Sequence, residues 1–348
     1  MTGAAITRRL RRLYDTSPVR DLGESQRLVV VSDLHLGDGG KLDDFRNNGD
    51  LLHSAMKDFY LPENFHLVLN GDIEELQRFS AERVRSRWKE LLELFSLFQA
   101  GAGLTRLVGN HDTDPGPFFA GADHPGRSLR LRGDSGEIFI FHGHQASRLG
   151  PLTNWIVGKG LRWVASPLGI RNYTVAFNSR HKYRYEKRVY RFARSRRVLA
   201  IIGHTHRPLF ESMSRLDTLK MRIESACRRL AREPAFRLEE QVRQMKGEYF
   251  QLTRTRHKYA GQSMLYHRGL LVPCLFNSGC GIGSGGVTAL EIDNRRINLV
   301  LWFHSSRNRR YMETEGRRAS RLGDKDIYRV VLKTDSLDYI QTRIRLLS

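Results

Sequence analysis

Four short apolar runs, each ending abruptly in polar residues, organise the chain up to about residue 142: RLVVVSD, FHLVLNGD, LTRLVGNHD and EIFIFHGH. Runs of this length bounded by turn residues read as buried strands. Between the second and the third, Val84, Trp88, Leu91, Leu92, Phe95 and Phe98 recur at helical spacing, and Gly101 closes the segment. Strands alternating with helix predict an α/β layout, and RRVLAIIGHTH adds a fifth strand of the same kind. Farther on, SMLYHRG, CLFNSGC, GVTALEI and RINLVLW are closely spaced strand patterns joined by turns, which predict a second, more antiparallel sheet.

Two segments interrupt this layout. Residues 145–196 mix Trp155, Trp163, Tyr173, Phe177, Tyr183 and Tyr185 with many Arg and Lys. Residues 211–260 carry Leu216, Leu219, Ile223, Cys227 and Leu230 at helical spacing. After Pro234 follow Leu238, Val242, Met245, Tyr249 and Leu252, a pattern that predicts a helical hairpin hinged at REPAF. Leu10, Leu13 and Tyr14 sit among arginines in a short basic amphipathic segment, read as a solvated arm or a helix packed on the body. TDSLDYIQTRIRLL reads as an amphipathic helix packed on the body. The expected organisation is a basic N-terminal arm over 1–24, one domain over 25–305 holding both insertions, and a basic C-terminal extension over 306–348.

Composition adds one outlying property. The 58 Lys and Arg against 37 Asp and Glu give a net charge of +21 over 348 residues, a field that attracts polyanions: nucleic acid, an anionic membrane surface or a phosphorylated substrate. Apolar residues make up 40%, ordinary for a globular protein, and no apolar run approaches a membrane span. TRRLRRLYD places charges where a signal peptide needs apolar residues. The expected location is therefore cytoplasmic, including a peripheral seat on the inner face of the membrane. The three cysteines lack paired metal spacing, which argues against a disulfide framework or a zinc ribbon.

The candidate chemistry lies where the strands stop. Asp33 and His35, Gly71-Asp72, Gly109-Asn110-His111-Asp112, His142-Gly143-His144 and Gly203-His204-Thr205-His206 finish five separate runs. Carboxylate, imidazole and amide donors form a mixed hard and borderline set suited to Mn, Fe, Zn or Co. Asp-x-His on an extended chain puts both side chains on one face. The glycines before Asp72, Asn110 and His204 allow sharp turns and close approach. His53, His66, His124, His181 and His257 read as ordinary surface or core residues.

This set resembles the calcineurin-like metallophosphoesterases, whose signature runs Asp-x-His, Gly-Asp, Gly-Asn-His-Asp/Glu, His and Gly-His-x-His. The resemblance spans residues 33–206, and FNSGC is similar to the family's strand after the last histidines. It implies a four-layer α-β-β-α sandwich with two mixed sheets, here with a helical lid over 145–196 and the inserted hairpin. It also implies a hydrolase with two divalent ions, manganese foremost. Asp33, His35, Asp72 and His206 would hold one ion; Asp72, Asn110, His142 and His204 would hold the other. His111 would stay free of metal and serve the leaving oxygen. Asp112 is equally suited to orient that imidazole or to pair with a loop arginine. Because histidine ligands must be neutral, metal affinity and activity are expected to fall below about pH 6.

Within the family, SDLHLGDGG, LNGDIEEL and HGHQ look most like the branch of the UDP-2,3-diacylglucosamine pyrophosphatases, whose basic aromatic lid occupies the position of 145–196. The chain has Gly-Asn-His-Asp and His-Gly-His where that branch has Gly-Asn-Arg-Asp and His-Gly-Asp, so the reaction class carries over ahead of the lipid substrate. Asn110, His144, Arg148, Arg180 and Arg184 are the expected substrate-facing residues, since guanidinium groups suit bidentate phosphate contacts. Three function classes follow. One hydrolyses a phosphodiester, pyrophosphate or phosphomonoester, including a nucleotide-linked lipid precursor at a membrane surface. The second is a metal-dependent nuclease or nucleic-acid phosphatase, supported by the charge. The third is a metal-free basic scaffold on the same fold. No oligomeric state follows from the sequence.

Overall fold

Short apolar strands need covering on both faces, and the chain supplies this with two sheets and the helices packed on them. The computed structural model describes residues 3–112, 126–147, 179–210, 215–232, 236–255, 272–283, 285–314 and 317–348. Helix α1 (Gly3–Asp15) leads into β1 (Val19–Asp21) and β2 (Leu28–Val31). Then come α2 (Gly49–Ala55), β3 (His66–Asn70), α3 (Ala81–Arg87), α4 (Lys89–Ala100) and β4 (Leu104–Leu107). The hairpin β5 (Ser128–Gly133) and β6 (Gly136–Phe141) precedes α5 (Ser179–Arg196) and β7 (Leu199–Ile202). After α6 (Arg215–Leu230) and α7 (Phe236–Thr255) follow β8 (Leu275–Asn277), β9 (Val287–Asp293) and β10 (Arg296–Phe303). The end of the chain holds α8 (Ser305–Asn308), the short strands β11 (Glu313–Thr314), β12 (Arg317–Arg318) and β13 (Ser320–Arg321), then β14 (Tyr328–Ser336) and α9 (Leu337–Leu347).

Seven strands form one sheet in the order β13-β14-β10-β9-β2-β3-β4, and five form the other in the order β1-β5-β6-β7-β8. Both are mixed: β2, β3 and β4 run parallel and β9, β10 and β14 antiparallel, while β6, β7 and β8 run parallel beside the β5-β6 hairpin. This fits the α-β-β-α sandwich. The partition differs from a simple early and late division. The late hairpin β9-β10 extends the early strand β2, whereas β6, β7 and β8 make the second sheet. Residues 263–269, read as a further strand, lie outside the described residues.

The larger core fills the space between the seven-stranded sheet and its helices, around Phe45, Tyr60, Phe95, Phe98 and Trp302. The Tyr60 hydroxyl donates to Glu291 Oε1 at 2.7 Å and accepts from Trp302 Nε1 at 2.8 Å, and Arg329 pairs with the same carboxylate. Every polar tip in that cluster thus has a partner, which keeps a buried network from costing stability. The helix expected through 84–98 breaks at Trp88, whose φ of −108° separates α3 from α4. The indole nitrogen instead donates to Gly37 O at 2.9 Å, so a tertiary bond overrides helical spacing.

The termini belong to the body. Ile6, Leu10 and Leu13 of α1 are buried, and the Tyr14 ring meets Phe139 of β6 edge-on at 5.2 Å. Strand β14 pairs along all of β10, which carries the sheet past residue 305, the boundary expected from the sequence. The chain divides into two compact units, Met1–Glu211 with Val272–Ser348, and Ser212–Leu271. The second contains α6 and α7; there Leu219 and Ala226 are buried, whereas Cys227, expected on the apolar stripe, is exposed. Among the described residues no helix is long and apolar enough to cross a membrane.

Because Leu10 is only 1% exposed, Leu10→Ala is expected to destabilise the protein by about 2–5 kcal/mol. Denaturant unfolding of the full chain measures this, and an unchanged midpoint would return α1 to the status of a solvated arm.

Candidate metal centre

Five strand ends converge. Asp33 and His35 follow β2, Asp72 follows β3, Asn110 and His111 follow β4, His142 follows β6, and His204 and His206 follow β7. The backbone there is not the extended chain expected for Asp-x-His. Asp33, His35, Asp72, His204 and His206 all have positive φ, between +51° and +63°. Such left-handed residues cost of order 1–3 kcal/mol each and persist only where surrounding bonds over-determine them. Those bonds are present: Asp33 N donates to Gly71 O and His35 N to Asp72 O, both at 3.0 Å, and Leu36 N to Ile73 O at 2.8 Å. His204 N donates to both oxygens of Asp33, at 3.0 and 2.9 Å, and His111 N to Asp72 Oδ1 at 2.8 Å. A Cβ on Gly109 would lie 2.1 Å from Asp72 Oδ1, and one on Gly203 would lie 2.4 Å from Asp33 Oδ2. Only glycine permits those approaches.

The side chains gather into groups of donor atoms that lie side by side, and His35 also groups with Glu75 and His111. Asp33, His35 and His206 form one cluster of donor atoms, and Asp72, His142 and His204 another. His206 Nε2 lies 3.1 Å from Asp33 Oδ1 and 3.2 Å from His35 Nε2. In the second group Asp72 Oδ2 lies 3.0 Å from His142 Nε2, and it is also 4.0 Å from His35 Nε2 in the first. Donors about 2.1 Å from one ion stand about 3 Å apart, so these are spacings of co-ligands.

Buried atoms without partners test whether the residues fit a cation. Asn110 Oδ1, His142 Nε2, His204 Nε2 and His206 Nδ1 are buried and make no hydrogen bond. An unpartnered buried polar atom costs about 1–3 kcal/mol, and several in one place call for an ion. The opposite edges of two rings are anchored: His142 Nδ1 bonds Asn70 O and His35 Nδ1 bonds Glu75 Oε2, each at 2.8 Å. That anchoring turns Nε2 of both rings into the centre, as in metal sites generally. The set fits divalent metal.

Glu75 is the functional residue that sequence reading missed. Its second oxygen bonds His111 Nδ1 at 2.8 Å, so one carboxylate orients a candidate ligand and the candidate proton donor together. Asp112 takes neither role left open for it among the described residues. It accepts from the backbone N–H groups of Gly109, Asp72, Ile73 and Glu74 at 2.8, 2.8, 3.0 and 3.2 Å, and so clamps the β3 and β4 turns together. Gln77 Nε2 donates to Asn110 O at 2.7 Å and steadies that residue. His144 lies beside the centre, its ring centroid 5.4 Å from that of His142. Arg184 is exposed on α5; Arg148 and the Arg180 side chain lie outside the described residues. Of the span 145–196, residues 148–178 lie outside them too, and α5 buries Glu186, Val189 and Ala193 in the body. His66 is an ordinary core histidine, bonded to Ala102 O and Thr105 Oγ1.

Burial and neighbouring charge split the histidines. Burial alone would lower His142, but the Asp72 and Asp33 carboxylates outweigh it and raise the ring to about 9. His111 is raised to about 10 against the same burial by Glu75 and Asp72. His204 is pushed down to about 3 by burial and by the charge on His142. Asp72 stays well below the usual carboxylate range because His142 and His111 overcome its desolvation. Proton competition with metal, expected below about pH 6, therefore begins higher at His142.

Glu75→Gln is expected to cost about 10–100-fold in metal affinity or turnover, read by metal titration and steady-state kinetics. Equal behaviour of variant and wild type would leave Glu75 without an orienting role. In metal-free protein, the raised His142 and His111 stabilise the fold fully below about pH 6.5 and cease to do so as pH rises through about 9 to 10. The depressed His204 acts oppositely: its contribution is present above about pH 6.5 and lost as pH falls toward about 3. Chelator-treated protein should therefore be most stable near about pH 6.5. Denaturation midpoints that climb steadily to about pH 9 would contradict this.

Residues 26–208 match the family of calcineurin-like phosphoesterases. Among solved structures, that of Yfce, a phosphoesterase from E. coli, aligns at 12% identity with a TM-score of 0.34, covering 78% of this chain and 91% of that one. A search of curated protein sequences found no match. The family match spans more than half of the chain and every strand end of the centre, and the chain belongs to the calcineurin-like phosphoesterases.

Proposed function

We propose that this metal-dependent phosphoesterase works through a dinuclear centre, with manganese its foremost metal, and that it cleaves a phosphodiester or pyrophosphate bond in a nucleotide-linked lipid precursor at an anionic membrane surface. The observation that carries the dinuclear reading is Asp72 Oδ2, which lies 3.0 Å from His142 in its own donor group and 4.0 Å from His35 in the neighbouring one, and so stands between the two. Asp33, His35, Asp72 and His206 would hold one ion, and Asp72, Asn110, His142 and His204 the other. When bound, such a pair supplies Lewis acidity that activates water and offsets charge building on the phosphoryl oxygens.

The chain's own groups do the rest. Glu75 accepts the Nδ1 proton of His111 and, with Asp72, raises the ring of the metal-free protein against its burial, which favours a second proton on Nε2. That proton is available to the leaving oxygen. Burial and the charge on His142 lower His204 and His144, so these imidazoles favour the neutral form. His144 and Asn110 at the centre, with Arg148, Arg180 and Arg184, are the proposed contacts to substrate phosphate. The lipid-linked substrate is supported by the likeness of SDLHLGDGG and LNGDIEEL to the diacylglucosamine pyrophosphatase branch, and the surface by the +21 charge. The same charge favours a nuclease as the second reading.

A metal-supplemented screen of phosphomonoesters, nucleotide sugars, detergent-dispersed nucleotide-linked lipids and oligonucleotides tests this. The expected result is turnover of the pyrophosphate-linked lipid that chelation abolishes and that Asp72→Ala lowers by about 100-fold or more. Preferential, steeply salt-sensitive cleavage of oligonucleotides would favour the nuclease instead.

A further inference from the structure

Beside the metal centre, a short turn at residues 143–147 collects cations. Gly143, with φ of +110°, swings His144 away from His142, and Ser147 N closes the turn on His144 O at 2.9 Å. The His144 Nδ1 atom is buried and has no hydrogen-bond partner. Arg9 reaches this turn from α1: its Nη2 donates to Ser147 O, while its Nε is buried without a partner. Arg127 approaches along the backbone, its carbonyl accepting from Gln145 Nε2 at 3.4 Å. Tyr185 walls the turn, donating to Ser147 Oγ at 3.0 Å with its ring edge-on to His204 at 4.9 Å.

Among the described residues neither Arg9 nor Arg127 has a carboxylate partner. Elsewhere in the body, buried arginines are matched: Arg106 with Glu74, Arg329 with Glu291. Burial lowers the Arg9 guanidinium, and Arg127 adds to that. Arg127 is exposed but Arg9 is half-buried, and a partly buried cation without a counter-ion is stabilised by an anion that completes it; a guanidinium with a free Nε–H is shaped for phosphate.

We infer that Arg9 and His144 form a second anion subsite beside the metal centre, which takes the phosphoryl group next to the scissile one in a pyrophosphate-linked substrate. This rests on the phosphoesterase reading above and assigns the part of the protein that separates pyrophosphates from single-phosphorus esters. Arg9 lies outside residues 26–208, so the subsite depends on a helix that this chain adds to the matched family region.

The test uses full-length, manganese-loaded protein, with wild type, Arg9→Gln and Arg9→Lys compared on a nitrophenyl phosphodiester and a dinucleoside pyrophosphate. Calorimetric binding of inorganic pyrophosphate and orthophosphate runs alongside. Arg9→Gln should raise KM about tenfold more for the pyrophosphate than for the phosphodiester, Arg9→Lys should restore part of that difference, and the preference for inorganic pyrophosphate should shrink correspondingly. A purely structural Arg9 would lower both activities and the unfolding midpoint together, and that result overturns the subsite. So does wild-type protein that binds pyrophosphate no more tightly than orthophosphate. Should wild type hydrolyse neither ester, the proposed reaction fails by itself, while the binding comparison still decides the subsite.

Discussion

The centre depends on backbone held in a conformation that most residues avoid. Five of the seven candidate ligands sit at left-handed φ, and the carboxylates around them supply the bonds that keep them there. Asp33 accepts from His204 N, Asp72 from His111 N, and Asp112 from four amides across two turns. All but the Gly109–Asp112 bond tie the end of one strand to the end of another. The ligands are therefore positioned by the same hydrogen bonds that offset the strain, and neither could be removed without the other.

The two sheets share that task. Strands β2, β3 and β4 bring Asp33, His35, Asp72 and Asn110 from one sheet; β6 and β7 bring His142, His204 and His206 from the other. Ser32 Oγ bonds Ser278 Oγ at 2.8 Å, and Asn70 Nδ2 donates to Phe141 O at 3.3 Å, so the sheets are joined beside the centre by buried polar contacts. Within that small volume the field is uneven. In the metal-free protein carboxylates raise His142 and His111, whereas burial and the charge on His142 lower His204 and His144. Similar side chains acquire opposite charge states from neighbours only a few ångströms away.

The strand ends were legible in the sequence because apolar runs stop abruptly at ligand types, and their joint spacing carries a family signature. The α/β class follows from the same runs, whereas the two mixed sheets came with the family resemblance, since the runs alone predict a separate, more antiparallel second sheet. The pairing of β9 with β2 was not legible, because strand order is decided by which edges meet in space, not by proximity along the chain. Glu75 was hidden for a related reason. GDIEEL offers two adjacent carboxylates, and only the folded turn shows that Glu74 pairs with Arg106 while Glu75 faces two imidazoles. Asp112 stayed open between two roles because three of its four backbone partners come from the turn after β3, some forty positions earlier.

Residues Ser212–Leu271 leave and rejoin the body between two neighbouring parallel strands, β7 and β8. Leu209 and Asn277 exchange a pair of backbone hydrogen bonds, and Phe210 rests on Phe276, so the outgoing chain returns alongside β8 before the segment departs. The last described residues before the segment thus lie against β8, the next strand of the body. A segment attached in that way can be lengthened, exchanged or shed over evolutionary time with the hydrolytic scaffold left intact.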